Sequence, residues 1–252
     1  MGVLSLFYGI VVYVIFLATF LYAVGFVGNL LVPKTIDSGD GGPLLVAIAS
    51  DVVLLGLFAV QHSVMARPVF KRAWTRLVPW PIERTTYVLF TNAVLVLLYW
   101  QWRSITQIVW RVEHPAAVLT LEAMFWAGWA LVLLSTFLIN HFELFGLRQV
   151  YAQLRGAPLP APVFKTPFLY KRVRHPIYLG FLLAFWATPT MTLGHLLFAA
   201  ATTGYIFVGI WLEERDLVTV FGDQYHQYRE QVSMLIPLPR RRAEPQARLR
   251  RP

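Results

Sequence analysis

The sequence predicts an all-α, polytopic integral membrane bundle. It has about five to six membrane helices, including a C-terminal helical hairpin, and a further C-terminal helix on the cytoplasmic side. Three observations predict it. Of 252 residues, 57% are hydrophobic and 14% charged, against roughly 45–50% and about 25% in average soluble domains. Too few polar residues remain to cover a soluble surface, and a mean hydropathy of +0.57 excludes a disordered chain. The apolar residues also fall in long runs, and the net charge of +9 sits in the segments between and after them.

Residues 3–32 contain no charged side chain. A helix crossing the ~30 Å hydrocarbon core needs about 20 apolar residues. The run is too long for a signal-peptide apolar region and lacks its basic start, so it is the first membrane helix. A polar loop ending at Pro43 leads to a second helix at 44–65, which contains Asp51, Gln61 and His62. Asp51, between apolar neighbours, reads as a buried polar contact. A basic loop precedes a third helix at 86–102. Arg103, Arg111, Glu113, His114 and Pro115 mark the loop before a fourth helix at 117–142. The next loop, 143–175, is rich in Pro, Lys and Arg.

The apolar stretch 177–212 is broken by Thr188-Pro189-Thr190 and reads as a hairpin. Its first arm, about 12 residues, is short for a full crossing at 1.5 Å per residue. Residues 213–232 read as one helix, with Leu217, Phe221, Tyr225, Tyr228 and Val232 at three- and four-residue spacing. Residues 1–237 form a single domain, followed by a basic, disordered tail at 238–252.

Charge sets the orientation. With the N-terminus inside, the outer loops hold Lys34, Arg103 and Arg111, and the inner segments hold the other 19 of 22 Lys and Arg. The positive-inside rule then places both termini in the cytoplasm. The tail from Arg240 carries six Arg and one Glu, or +5 of the +9, and reads as an anchor touching anionic lipid. Because the excess charge follows loop topology, no nucleic-acid partner is expected. The absence of cysteine excludes disulfides, thiolate metal sites and cysteine nucleophiles. No metal centre is expected.

Candidate chemistry gathers at the inner edge. In RHPIYLG, residues 174–180, Pro176 sits where a helix can begin. The N–H groups after it favour an anionic ligand group, with Arg174 and His175 beside them. The competing reading is a membrane-edge anchor with a snorkelling Arg and an interfacial Tyr178. In EERD, Glu213 and Glu214 end an apolar helix against its macrodipole. That calls for a cationic partner, either Arg172 and Arg174 across the hairpin or a ligand. Phe221, Tyr225, Tyr228 and Val232 share one face that can cover a site as a lid. Inside the helices, His62 and Asn140-His141-Phe142-Glu143 stand out, because ionisable groups in membrane segments are costly. Both histidines fall near inner helix ends, where an interfacial histidine bonded to a backbone carbonyl is the plainer alternative.

RHPIYLG, about 32 residues of hairpin, EERDL, FGDQYHQY and Pro237 together resemble the C-terminal half of the isoprenylcysteine carboxyl methyltransferase and phospholipid N-methyltransferase superfamily. FAVQHSVMARPVFKRAW (58–74), ERTTYVL (83–89) and INHFELFGLRQVY (139–151) resemble the methanethiol S-methyltransferase family, related to NnrU-type membrane proteins. The resemblance covers about residues 44–237. It implies an integral membrane enzyme of the bacterial inner membrane that uses S-adenosylmethionine to convert methanethiol to dimethyl sulfide, with its site cytoplasmic. It implies that residues 143–237 bind the cofactor. His175, Pro176, Tyr178 and Gly180 would line the pocket, with Arg174 near the cofactor carboxylate. Glu213 and Glu214 would hold its amino group or ribose hydroxyls, and Gln149, Val150 and Tyr151 would contact adenine.

Methyl transfer from a sulfonium is an in-line displacement that positioning accelerates, and aromatic rings suit the sulfonium cation. The nucleophile is a thiolate, and an unperturbed thiol such as Cys has a pKa of about 8.5, so the site must assist deprotonation. His62 or His141 is the candidate base, and Arg84 or Arg174 the candidate stabiliser of the anion. Three alternatives accompany this reading. They are a prenylcysteine carboxylate or phospholipid amine as acceptor, a reductase using NADPH, and a non-enzymatic NnrU-like membrane protein. A transporter would place its ionisable groups near the midplane, whereas these gather at one edge.

Overall fold

Prolines open several of the helices. Pro68, Pro81, Pro115 and Pro176 each lie in a first turn, where a missing N–H costs nothing and the fixed φ suits the helix. The computed structural model describes residues 2–159, 161 and 163–237, and the tail expected at 238–252 lies outside the described residues. The chain forms α1 (Gly2–Gly28), α2 (Leu44–Ala66), α3 (Pro68–Trp74), α4 (Trp80–Gln101), β1 (Ile108–Arg111), α5 (Pro115–Ile139), α6 (His141–Leu144) and α7 (Leu147–Arg155). After a 3-10 turn (Phe168–Lys171) come α8 (Pro176–Trp186), β2 (Thr190–Thr192), α9 (Leu193–Phe221) and α10 (Asp223–Gln231).

Helices α1, α2, α5 and α9 are each long and apolar enough to cross a membrane. Helix α4 runs parallel to α1. Thr86 near its start accepts from Tyr8 at 3.1 Å, and Trp100 near its end accepts from Lys34 beyond the end of α1. Helix α4 packs between α1 and α2, α2 meets α9, and α9 meets α8. The closest crossing is between α5 and α8. There Gly128 faces Gly180, and a Cβ on either would lie 2.7 Å from the other's carbonyl oxygen. Side chains of any size would force these backbones apart, so small residues set the crossing, as in many membrane bundles. The result is the all-α polytopic membrane bundle that the sequence predicted.

The short arm of the hairpin is α8. Its 11 residues rise about 16 Å. Six residues then run to the start of α9, the last three of them in β2. Within them β2 pairs antiparallel with β1, Ile108 opposite Thr192 and Arg111 opposite Thr190. This ladder joins the α4–α5 and α8–α9 loops and has no counterpart in the sequence reading. The first loop is fastened to the same end. The Trp102 indole donates to Ile36, the Arg103 amide to Asp51 and the Thr192 hydroxyl to Asp37. Asp51 is the buried polar contact expected of it.

Four boundaries differ from the sequence reading. The third predicted helix starts at Trp80 and not at Thr86. The first helix stops at Gly28, and Asn29 turns into the left-handed region at φ +55°. The fourth predicted helix ends at Ile139, and the chain restarts as α6 after Asn140. The predicted helix at 213–232 is two pieces. Residues 213–221 continue α9, and Gly222 at φ +54° starts α10. Glu213 and Glu214 therefore lie eight and seven residues before the end of α9, and the macrodipole does not oppose them.

Candidate functional site

At the end of the bundle opposite the β ladder, α8 begins beside the last third of α9. Pro176 opens α8, as its lack of an N–H suggests, and His175 is the residue before it. The backbone N–H groups of Arg174 and His175 donate to Ser233 and Met234 at 2.8 and 3.1 Å. The segment after α10 is thus strapped onto the start of α8. Arg174 sends Nε to Glu214 Oε1 at 2.7 Å and a terminal nitrogen to the carbonyls of Arg229 and Val232. His175 Nε2 lies 3.0 Å from the same Glu214 oxygen, and Arg229 Nε reaches the other at 3.1 Å. Of the two cations expected near the carboxylates, Arg174 pairs with Glu214, and Arg172 forms no ion pair among the described residues.

Glu214 is therefore saturated, whereas Glu213 is not. The Glu213 side chain is 43% exposed, with His175 Nδ1 at 3.8 Å and the Tyr178 ring 5.6 Å from that of His175. Two more phenols close in. Tyr170 and Tyr225 are 8% and 1% exposed, yet their hydroxyls find no hydrogen-bond partner among the described residues. Burial and then the charge of Glu213 push Tyr170 up, and burial with Glu214 and Glu213 does the same to Tyr225, so both remain O–H donors. Phe164 lies across Phe221, Tyr225 and Tyr228 with centroids 5.3–6.0 Å away. The Tyr228 hydroxyl ties this cover to Tyr170 O at 2.6 Å. The aromatic face expected as a lid thus packs on Phe164 and is tied to Tyr170.

A second polar corner lies between α2, α4 and α9. The Tyr87 hydroxyl sits 2.9 and 3.0 Å from the two ring nitrogens of His62. Phe58 stacks on the imidazole at 5.2 Å, and Tyr205 meets it edge-on at 6.5 Å. Ser63 donates to the Tyr205 hydroxyl at 3.2 Å. Arg84 lies over the Tyr87 ring at 5.7 Å and donates to Leu144 O. Below this corner Arg67 pairs with Asp216 at 2.9 Å and ties the end of α2 to α9.

The structure does not unite the two expected histidines. His141 is 3% exposed, with Tyr13 and Thr136 hydroxyls each 2.8 Å from one of its ring nitrogens. It stacks on Phe137 at 4.1 Å. Burial holds it below the ordinary imidazole range. Gln149, Val150 and Tyr151 belong to α7, which packs on α1. Val150 is fully buried against Gly9, Gln149 donates to Glu143 O, and Tyr151 is exposed. Gly180 lies in the α5 crossing.

The residues that the sequence reading passed over are Tyr87, Tyr170, Tyr205, Arg229 and Gly209. One signal was present. Tyr205, Gly209 and Glu213 recur at four-residue spacing, which puts them on one stripe of α9.

Comparison with known proteins places the chain. It is 57% identical over 238 residues to methanethiol S-methyltransferase of Mycobacterium tuberculosis, covering 94% of this chain and 98% of that one. It is 60% identical over 230 residues to methanethiol S-methyltransferase 1 of Bradyrhizobium diazoefficiens, covering 91% and 81%. Nurim of Mus musculus is 32% identical over 183 residues, 69% of each chain. No family model and no solved structure matches. With such identity along nearly the whole length, this integral membrane chain belongs to the methanethiol S-methyltransferase family.

Proposed function

We propose that the protein transfers a methyl group from S-adenosylmethionine to methanethiol, releasing dimethyl sulfide. The observation that carries this reading is the 51–60% identity over most of the chain to relatives named for that activity. The acidic cluster fits such a donor. Glu213 offers a partly open carboxylate for an ammonium or a ribose hydroxyl, and the orphaned phenols of Tyr170 and Tyr225 offer buried donors. His175, Pro176 and Tyr178 line the same edge, while Arg174 and Glu214 lock the α8–α9 junction that holds them. When bound, the donor supplies an electrophilic methyl carbon on a sulfonium sulfur.

His62 is the base. Its contacts are hydroxyls and aromatic rings on the side of α2 that faces α9. His141 is sealed between Phe137 and Phe145, and its hydroxyl partners Tyr13 and Thr136 belong to α1 and α5, so it serves to join those helices. The thiol proton passes to an imidazole nitrogen of His62, and the sulfur lone pair forms the new C–S bond. The electron pair of the old C–S bond returns to the donor sulfur. Arg84 places a fixed positive charge behind Tyr87 and favours the thiolate in this low-dielectric corner. The positive-inside distribution supports a site on the cytoplasmic face of the bacterial inner membrane, where the water-soluble donor is found.

The test is direct. Purified protein in detergent, given S-adenosylmethionine and methanethiol, releases dimethyl sulfide into the headspace. Absence of product, together with absence of S-adenosylmethionine binding by calorimetry, overturns the proposal.

A further inference from the structure

The acidic cluster and the His62 corner lie on one stripe of α9. Tyr205 faces His62 and Phe58, Glu213 faces His175, and Gly209 lies midway. Eight residues of helix separate the two ends by about 12 Å, with Gly209 about 6 Å from each along the axis. A Cβ on Gly209 would meet only Tyr178 within 4 Å, its hydroxyl at 3.6 Å and its Cζ at 4.0 Å. The Tyr178 ring also lies 5.6 Å from that of His175 in the acidic cluster. Tyr178 thus reaches from that cluster to the position where α9 has no side chain. This glycine differs from Gly128 and Gly180, whose missing Cβ atoms let backbones touch. At Gly209 no backbone approaches, so close helix packing does not explain the residue.

We infer that Gly209 sets the size of the acceptor thiol, by keeping open the gap on α9 where acceptor sulfur and donor methyl meet, walled by Tyr178, Tyr205, Phe58 and His62. The inference rests on the proposed thiol methylation and names its specificity determinant. Methanethiol has no polar group besides its reacting sulfur, so only the dimensions of the gap can select it. Reacting atoms must approach within about 3–3.5 Å in line. A methyl group on α9 would meet Tyr178 only at ordinary van der Waals distance and would hold acceptor and donor apart without touching Glu213 itself. Its predicted contact with Tyr178 is of ordinary van der Waals length, so the fold tolerates it.

The experiment compares wild type, Gly209→Ala and Phe58→Leu in detergent. It measures methyl transfer to methanethiol and ethanethiol, and S-adenosylhomocysteine binding by calorimetry. In Gly209→Ala, kcat/KM for methanethiol falls on the order of 10- to 100-fold, as a misplacement near 1 Å produces. The value for ethanethiol falls further, and the Kd for S-adenosylhomocysteine changes less than about threefold, under 1 kcal/mol. Phe58→Leu widens the acceptor side and raises the ethanethiol-to-methanethiol ratio with the same Kd. Unchanged turnover in Gly209→Ala overturns the inference, as does a Kd that weakens in step with kcat/KM. If Gly209→Ala does not fold, an unchanged thiol ratio in Phe58→Leu overturns it, and a raised ratio supports it. A wild type that methylates no thiol overturns the proposed function and this inference together. An active wild type with insensitive variants overturns the inference alone.

Discussion

Arg174 and Glu214 form an ion pair of 2.7 Å with less than a tenth of either side chain exposed. It ties the start of α8 to α9 and, through the Arg174 contacts with Arg229 and Val232, to the end of α10. Removing one partner of such a pair leaves a buried charge uncompensated, at a cost of about 3–5 kcal/mol. Glu214→Ala is therefore expected to lower the thermal unfolding temperature in detergent sharply and to reduce the yield of folded protein. Glu213→Gln, at a half-exposed carboxylate, leaves the unfolding temperature near that of wild type but weakens S-adenosylhomocysteine binding. Equal effects of the two on both measurements would remove the division of labour between these adjacent residues.

The two histidines separate by the same logic. His62→Ala lowers turnover by about 100-fold or more, within the usual range for loss of a general base, and leaves donor binding intact. His141→Ala removes a side chain that joins α1 to α5 and lowers the unfolding temperature, while the protein that folds retains its rate per molecule. Full turnover by His62→Ala between pH 6 and 8 would exclude it as the base.

His141 also gives a pH dependence. Burial holds its folded pKa below the ordinary imidazole value, so the folded state favours the neutral ring. Its contribution is fully present above the unfolded value of about 6.5 and is lost as pH falls through and below it. Unfolding temperature should therefore fall between about pH 7 and pH 5, and the fall should shrink in His141→Gln. An identical pH profile in that variant would show that other groups carry it.

At the α5–α8 crossing, Gly128→Ala places a Cβ 2.6 Å from the Ala184 nitrogen. Overpacking of this kind costs about 1–3 kcal/mol, and here it also moves the start of α8 relative to α9. Gly128→Ala should lose stability and donor affinity together, as read by unfolding temperature and calorimetry. Gly56→Ala, with open space around its position, should lose neither.

Orientation is open to a labelling test, because the chain has no cysteine. A single cysteine at Thr75, in the loop after α3, should be protected from an impermeant maleimide in intact cells. One at Gly39, in the loop after α1, should react. The reverse pattern would invert the topology.

The sequence by itself determined the bundle. Long uncharged runs have only one stable form in lipid, since every backbone polar group must be satisfied within the segment, and prolines and charged loops mark where each run begins and stops. It also determined that Arg174, His175, Glu213 and Glu214 form one cluster, because a hairpin returns its two ends to the same side. Only the tertiary structure decided what each residue does there. Glu214 and Arg174 are spent on each other, and Glu213 stays open. Gly180 belongs to a helix crossing, Val150 to a buried contact with α1, and His141 to a sealed pocket. Tyr87, Tyr170, Tyr205 and Gly209 come from three separate elements, α4, the 3-10 turn and α9. Periodicity records which face of a helix is buried. What that face is buried against depends on contacts between elements far apart in the chain.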